Sequence, residues 1–122
     1  MEYSIFPSDD GNYIILKVVG TFGRQQALQY HLEAHRMGRA MGIDRFLLDF
    51  SEGRNTDTVL RHYTFVSQDM RHPEINLDAR IAMLVSSYDH SHDFIEAMLK
   101  QEGVDVALFY DLEAAIAFLM RP

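Results

Sequence analysis

Short apolar runs alternate with amphipathic segments along this chain, and few folds accommodate that pattern. The runs are Arg45-Phe46-Leu47-Leu48-Asp49-Phe50, Ile81-Ala82-Met83-Leu84-Val85 and Val106-Ala107-Leu108-Phe109. Their length suits a strand, and a strand that is apolar at successive positions has both faces covered. Between them lie segments with a helical period. In Arg24 to Met41, Ala27, Tyr30, Ala34, Met37 and Met41 recur at three- and four-residue steps, and Gly42 follows as a stop. Val59, Tyr63, Val66 and Met70 form the expected inner face of a second helix, which Asn55 or Thr56 would cap and His72-Pro73 would end. Ser91 is placed to cap a third helix carrying Phe94, Ile95, Met98 and Leu99, closed by Gly103. Asp111 is placed to cap a fourth, with Leu112, Ala115, Ile116 and Leu119 inward.

The start of the chain differs. Tyr3 and Ile5 before Pro7 suggest an edge strand, Asp10-Gly11 a turn, and Tyr13 to Val19 a β-branched strand ending at Gly20. A tight turn makes these two antiparallel. The predicted order is ββαβαβαβα: an α/β fold with a mixed, mostly parallel five-stranded sheet and about four helices. Ser51 to Asn55 reads as a polar loop. The 122 residues suit one domain, residues 1–122, and 48% of them are hydrophobic, enough for a core without covalent staples.

Composition narrows the chemistry. With no cysteine, the chain has no disulfide, thiolate nucleophile, cysteine-type zinc site or iron–sulfur cluster. The net charge is −7 and the only lysines are Lys17 and Lys100, so no basic stripe is available to neutralise nucleic-acid phosphates. No apolar run is long enough to span a bilayer, and the first residues lack a secretory pattern. A cytoplasmic location is expected.

Motifs for catalysis are missing. There is no Gly-x-Ser-x-Gly elbow, no Gly-x-Gly-x-x-Gly and no Walker loop. Neither lysine is placed for a receiver-type phospho-aspartate site. His31 and His35 have the four-residue spacing of metal ligands. They lie off the apolar stripe, however, so a solvated face is the expectation. His90 and His92 sit at a loop-to-helix junction and suggest nothing more. No metal and no cofactor is expected. Asp49, Ser51 and Ser87 fall at strand ends, where α/β ligand sites form, but serine and aspartate also serve there as turn and cap residues.

The segment Phe46-Leu47-Leu48-Asp49-Phe50-Ser51-Glu52-Gly53-Arg54-Asn55-Thr56-Asp57-Thr58-Val59-Leu60 runs a buried strand into a short loop and an Asp-Thr helix start. It resembles the STAS superfamily, the fold of bacterial anti-sigma-factor antagonists, most closely the SpoIIAA-like branch. The Val18-Val19-Gly20 strand ending, Ala79 to Val85, and Phe109 to Leu119 are similar to that branch in order and spacing. The resemblance implies a non-catalytic regulatory module. In the antagonists the second helix opens with Asp-Ser-Ser-Gly and is phosphorylated on a serine. Here only Asp57 and Thr58 match, with Val59 and Leu60 in place of the small residues.

Thr58 is accordingly the candidate phosphoacceptor. Asp57, Arg61, His62 and Phe65 are the candidate partner-binding face, with Phe65 expected to be an exposed anchor. Leu28 and Leu32 offer a surface for a homodimer. The alternative reading is a domain that binds or carries a small, lipophilic ligand. Its pocket would be drawn from Asp49, Ser51, Tyr63, Met70, Ser87 and Phe94.

Overall fold

A computed structural model describes all residues, Met1–Pro122. The elements are β1 (Glu2–Pro7), β2 (Ile14–Phe22), α1 (Arg24–Met41), β3 (Arg45–Asn55), α2 (Val59–Ser67), a 3-10 turn (Asp69–Arg71), β4 (Arg80–Leu84), α3 (Asp93–Gln101), β5 (Asp105–Phe109) and α4 (Leu112–Leu119). The order matches the sequence expectation. β1 is antiparallel to β2, the other pairs are parallel, and the strands lie in the order β1-β2-β3-β4-β5.

Side chains alternate across the strands, and this sorts the core into two layers. Ile14, Leu16, Val18, Leu48 and Phe50 face one side, where α1, α2 and α3 pack. Tyr13, Leu47, Ala82 and Leu84 face the other, under Ala115 and Leu119 of α4. The three crossover helices therefore share one face. Because the strand order never reverses, there is no crevice where neighbouring crossovers diverge.

Two polar stretches continue as strand. β2 runs on to Phe22 and β3 to Asn55, paired through Val19↔Glu52 and Phe22↔Asn55 after a register shift. The expected loop at Ser51 to Asn55 is thus paired backbone. Composition hid it, because these residues are polar and Gly53 interrupts them. The ladder hydrogen bonds, not the side chains, hold them extended.

Helix ends obey capping rules, though not always with the expected residue. Gly42 closes α1 at φ 69°, a left-handed conformation that favours glycine. The Asp111 side chain accepts from Ala114 N at 3.0 Å and caps α4, as expected. Thr58, rather than Asn55 or Thr56, caps α2 by accepting from Arg61 N at 3.2 Å. Asn55 Oδ1 instead accepts from Asp57 N, turning the chain before the helix. Ser91 does not cap α3, whose N-cap position is His92. The Ser91 hydroxyl accepts from Asn55 N at 3.2 Å, tying the β4–α3 turn to the end of β3.

No helix is long and apolar enough to cross a membrane. Leu28 and Leu32 are partly buried against the larger core layer, which leaves less of them for a self-contact than the sequence suggested.

Candidate functional site

α2 presents a different stripe to the core from the expected one, with Val66 common to both. His62, Phe65 and Val66 point inward, with Met70 following from the 3-10 turn. Val59, Leu60 and Tyr63 point outward, at 62%, 73% and 54% exposure. The nine-residue helix carries apolar residues on both sides, and the histidine within the true inner stripe disguised it. Phe65, at 5% exposure, is a core residue whose ring lies 5.5 Å from that of His31. It cannot be the exposed anchor. His62, at 7% exposure, is likewise removed from the partner-binding face, and Tyr63 is removed from the pocket.

Asp57 is also committed elsewhere. Its Oδ2 accepts the Arg24 backbone N–H at the start of α1, and its Oδ1 pairs with Arg61 Nη1 at 3.2 Å. A Cβ at Gly23 would sit 2.9 Å from Asp57 Oδ2, so the glycine is what lets this carboxylate reach the helix end. Arg24 in turn holds Asp69 through Nε at 2.6 Å and Nη2 at 3.0 Å. Asp57 is therefore a brace between α1 and α2, not a free contact group. Thr58 and Arg61 remain on the surface, as expected.

The candidate pocket residues do not converge. Asp49 lies on the α4 side of the sheet, because strand alternation sends Leu48 and Phe50 to the opposite side. Its carboxylate accepts from Ser51 N at 3.0 Å and from the Ser51 hydroxyl at 2.5 Å. Ser51 and Ser87 are exposed. Phe94 is 40% exposed and packs its ring against His62 at 6.5 Å. Of the six, only Met70 lines an internal cavity.

That cavity lies between the sheet and α1–α3, with a volume of about 20 Å³, room for one water molecule. Its walls are mainly apolar and aromatic, including Tyr30, Phe50 and Phe65, with Asn55, His31 and His92 as the polar members. Four of the six histidines are buried: His31 and His35 on α1, His62 on α2, and His92 at the entrance to α3. His92 stacks on Phe50 at 4.4 Å with rings 3° apart, and His35 stacks on Phe46 at 4.4 Å.

Burial fixes the charge state of these rings. It pushes His31 down to about 3, helped by the nearby His35 and His92. It pushes His35 down to about 4, with Arg39 adding to the effect. His92 falls to about 4 through burial, against the opposing pull of Asp89. Burial also lowers His62, while Asp57 opposes the change. All four are neutral at pH 7. The expected solvated face for His31 and His35 is corrected: α1 buries a stripe of Ala27, Tyr30, His31, Ala34, His35 and Gly38. Imidazole, being flat and mostly apolar when neutral, stacks there as an aromatic ring.

His35 is satisfied, since its Nδ1 accepts from Asn76 N at 3.1 Å. Others are not. His62 Nδ1 and Nε2, Asp89 Oδ2 and His92 Nε2 are buried without a hydrogen-bond partner. Buried polar atoms of this kind are uncommon, and each costs on the order of 1–3 kcal/mol. They belong to one neighbourhood, for His92 feels the charge of both Asp89 and His62. Nothing in the sequence marks His92, Asp89, His31 and Asn55 as a group. The nearest signal is the proximity of His90 and His92 to a strand end. No group of histidine and acidic side chains is arranged to hold a metal ion.

The architecture and the helix-covered face define the class: an α/β domain with the SpoIIAA-like fold. The particular likeness is to the crystal structure of an uncharacterized protein from the DUF3478 family of Shewanella loihica PV-4, which has a SpoIIAA-like fold. The two superpose with a TM-score of 0.60 over 97% of this chain and 92% of that one, at 18% identity. The likeness is one of fold. No family model matches the chain, and no curated protein matches it.

Proposed function

We propose that this chain is a non-catalytic regulatory module of STAS type that docks a partner protein through the outward N-terminal face of α2. The observation that carries the reading is the contiguous exposed stripe of Val59, Leu60 and Tyr63, beside the surface residues Thr58 and Arg61. Single exposed apolar residues are ordinary on a protein surface, whereas three on one helical face form a contiguous patch of the kind that supports a docking role. The SpoIIAA-like fold supports this reading. Thr58 is the proposed phosphoacceptor. A phosphate there would gain from the helix N-terminus but repel Asp57, which braces α1, so modification would alter this face.

The test is affinity capture with the wild-type chain and with Leu60→Asp. The variant should remain folded, because Leu60 is exposed, and should lose the captured partner. An unchanged set of partners would refute the docking surface.

A second reading has its own observation. The apolar cavity beneath α2, with His92 in its wall carrying an unpaired Nε2, supports binding of a small lipophilic ligand. Native mass spectrometry of the protein taken from cells would show a retained small molecule, and repeated preparations at the bare chain mass would refute it.

A further inference from the structure

We propose that the cavity beneath α2 receives a small, uncharged, mostly apolar molecule bearing one hydroxyl group, held through that hydroxyl by His92 Nε2. The inference rests on the ligand-binding reading and adds the chemical class and the anchoring atom. Three observations carry it. The walls of the cavity are aromatic and aliphatic, which selects an apolar body. His92 lines the cavity at 2% exposure, and its Nε2 is unpaired. Its other ring nitrogen, Nδ1, lies 3.4 Å from the Ser91 hydroxyl, so Nε2 is the atom left over for a ligand.

The surroundings narrow the head group. Asp89 is buried beside His92 with Oδ2 unpaired, so a carboxylate or phosphate would meet a like charge in a dry site. A hydroxyl both donates and accepts, and so satisfies His92 Nε2 in either neutral tautomer. A ketone or ether accepts only.

The element that admits the molecule is α2. The cavity holds one water as it stands, and a larger guest needs one wall to move. α2 has only nine residues. Its inward His62 makes no hydrogen bond, and its Thr58 and Thr64 hydroxyls bond within the helix, to Arg61 N and from Thr64 to Leu60 O. Beyond the Asp57–Arg61 pair at its start and the Arg24–Asp69 pair in the turn that follows it, the helix is attached to its neighbours by packing of His62, Phe65 and Val66. Outward movement of this helix would also displace the stripe proposed to dock a partner.

The experiment titrates the isotope-labelled full chain with phenol and, separately, with toluene, which matches phenol in shape but lacks the hydroxyl. Amide and imidazole resonances are followed by nuclear magnetic resonance. Phenol is expected to shift the resonances of Phe65, Met70 and the His92 ring, and to bind about fivefold tighter than toluene, the worth of one neutral hydrogen bond. His92→Phe should erase that preference while toluene still binds. Equal binding of the two probes by the wild-type chain would overturn the His92 anchor and leave the ligand-binding reading standing. If neither probe shifts the cavity resonances, both fall. The wild-type comparison decides the matter even if His92→Phe fails to fold.

Discussion

On one side of the sheet, 22 buried residues from the strands and three helices form a deep layer that takes in four histidines and a cavity. On the other, Tyr13, Leu47, Ala82 and Leu84 lie under Ala115 and Leu119 of one short helix, all six of them apolar or aromatic. The thin layer is held at its rim, where Arg45 Nη1 donates to Leu119 O at 2.7 Å and Arg80 Nε pairs with Asp105 at 2.9 Å. Its polar groups stay at the edge and are paired. The thick layer has admitted polar rings into its middle and left several of their atoms unpaired. Both layers keep the chain folded, but only the thick one carries features that stability alone does not require.

Acid should expose this difference most strongly. At neutral pH the histidines are neutral in both the folded and the unfolded chain. Below pH 6.5 the unfolded chain takes up protons, whereas His31, His35 and His92 resist them until about pH 3 to 4. Stability is therefore full above pH 6.5 and is lost as the pH falls through that window. Each of the three rings contributes on the order of 3 kcal/mol to the loss. The three act in the same direction, so stability falls steeply across this window. Circular dichroism should show cooperative unfolding before pH 4 is reached. A chain still folded at pH 4 would mean that the thick layer tolerates charge and that the comparison fails.

Truncation should separate the layers less sharply. Phe50→Ala, which strips a ring stacked on His92 and opens the centre of the thick layer, should cost about 4 kcal/mol in urea unfolding. Leu119→Ala, at the tip of the thin layer, should cost about 2–3 kcal/mol, because the chain end beside it can settle into the space. Equal losses would argue that the two cores are equally rigid.

The smallest effect has the opposite sign. His62→Phe removes two unpaired ring nitrogens and keeps an aromatic ring against Phe94, so it should stabilise the fold by about 1 kcal/mol and raise Tm by about 4 °C. His35→Leu, made alongside it, should destabilise, since it strips Asn76 N of its acceptor. If His62→Phe proves destabilising, His62 has a partner, and the neighbourhood of unpaired atoms loses a member.

Much of the fold was legible because local rules and tertiary packing agreed. The apolar runs at Phe46–Phe50 and Ile81–Val85 had no alternative to burial on both faces, the α1 limits followed from its period and Gly42, and Asp111 capped α4. The hairpin followed from Asp10-Gly11. The SpoIIAA-like fold was legible from the same run of elements. The candidate site was far less so. Asp49 and Ser51 lie within β3 rather than at its end, since the strand runs on to Asn55, and Asp49 is on the α4 side because one residue of register decides the side. Phe65 and Tyr63 exchanged roles for a related reason. α2 offered two apolar stripes, and nothing within nine residues says which one its neighbours cover.

The sequence by itself determined the order and kind of the elements, since period, turn residues and caps act over a few residues and need no distant partner. Only the tertiary structure decided that α2 turns Leu60 outward and Phe65 inward, that Asp57 braces α1, and that histidines from three helices meet above β3. Those outcomes depend on which surfaces meet across long sequence separations. Polar residues such as His92 and Asp89 carry no local mark of burial, because the energy that buries them comes from the apolar neighbours around them.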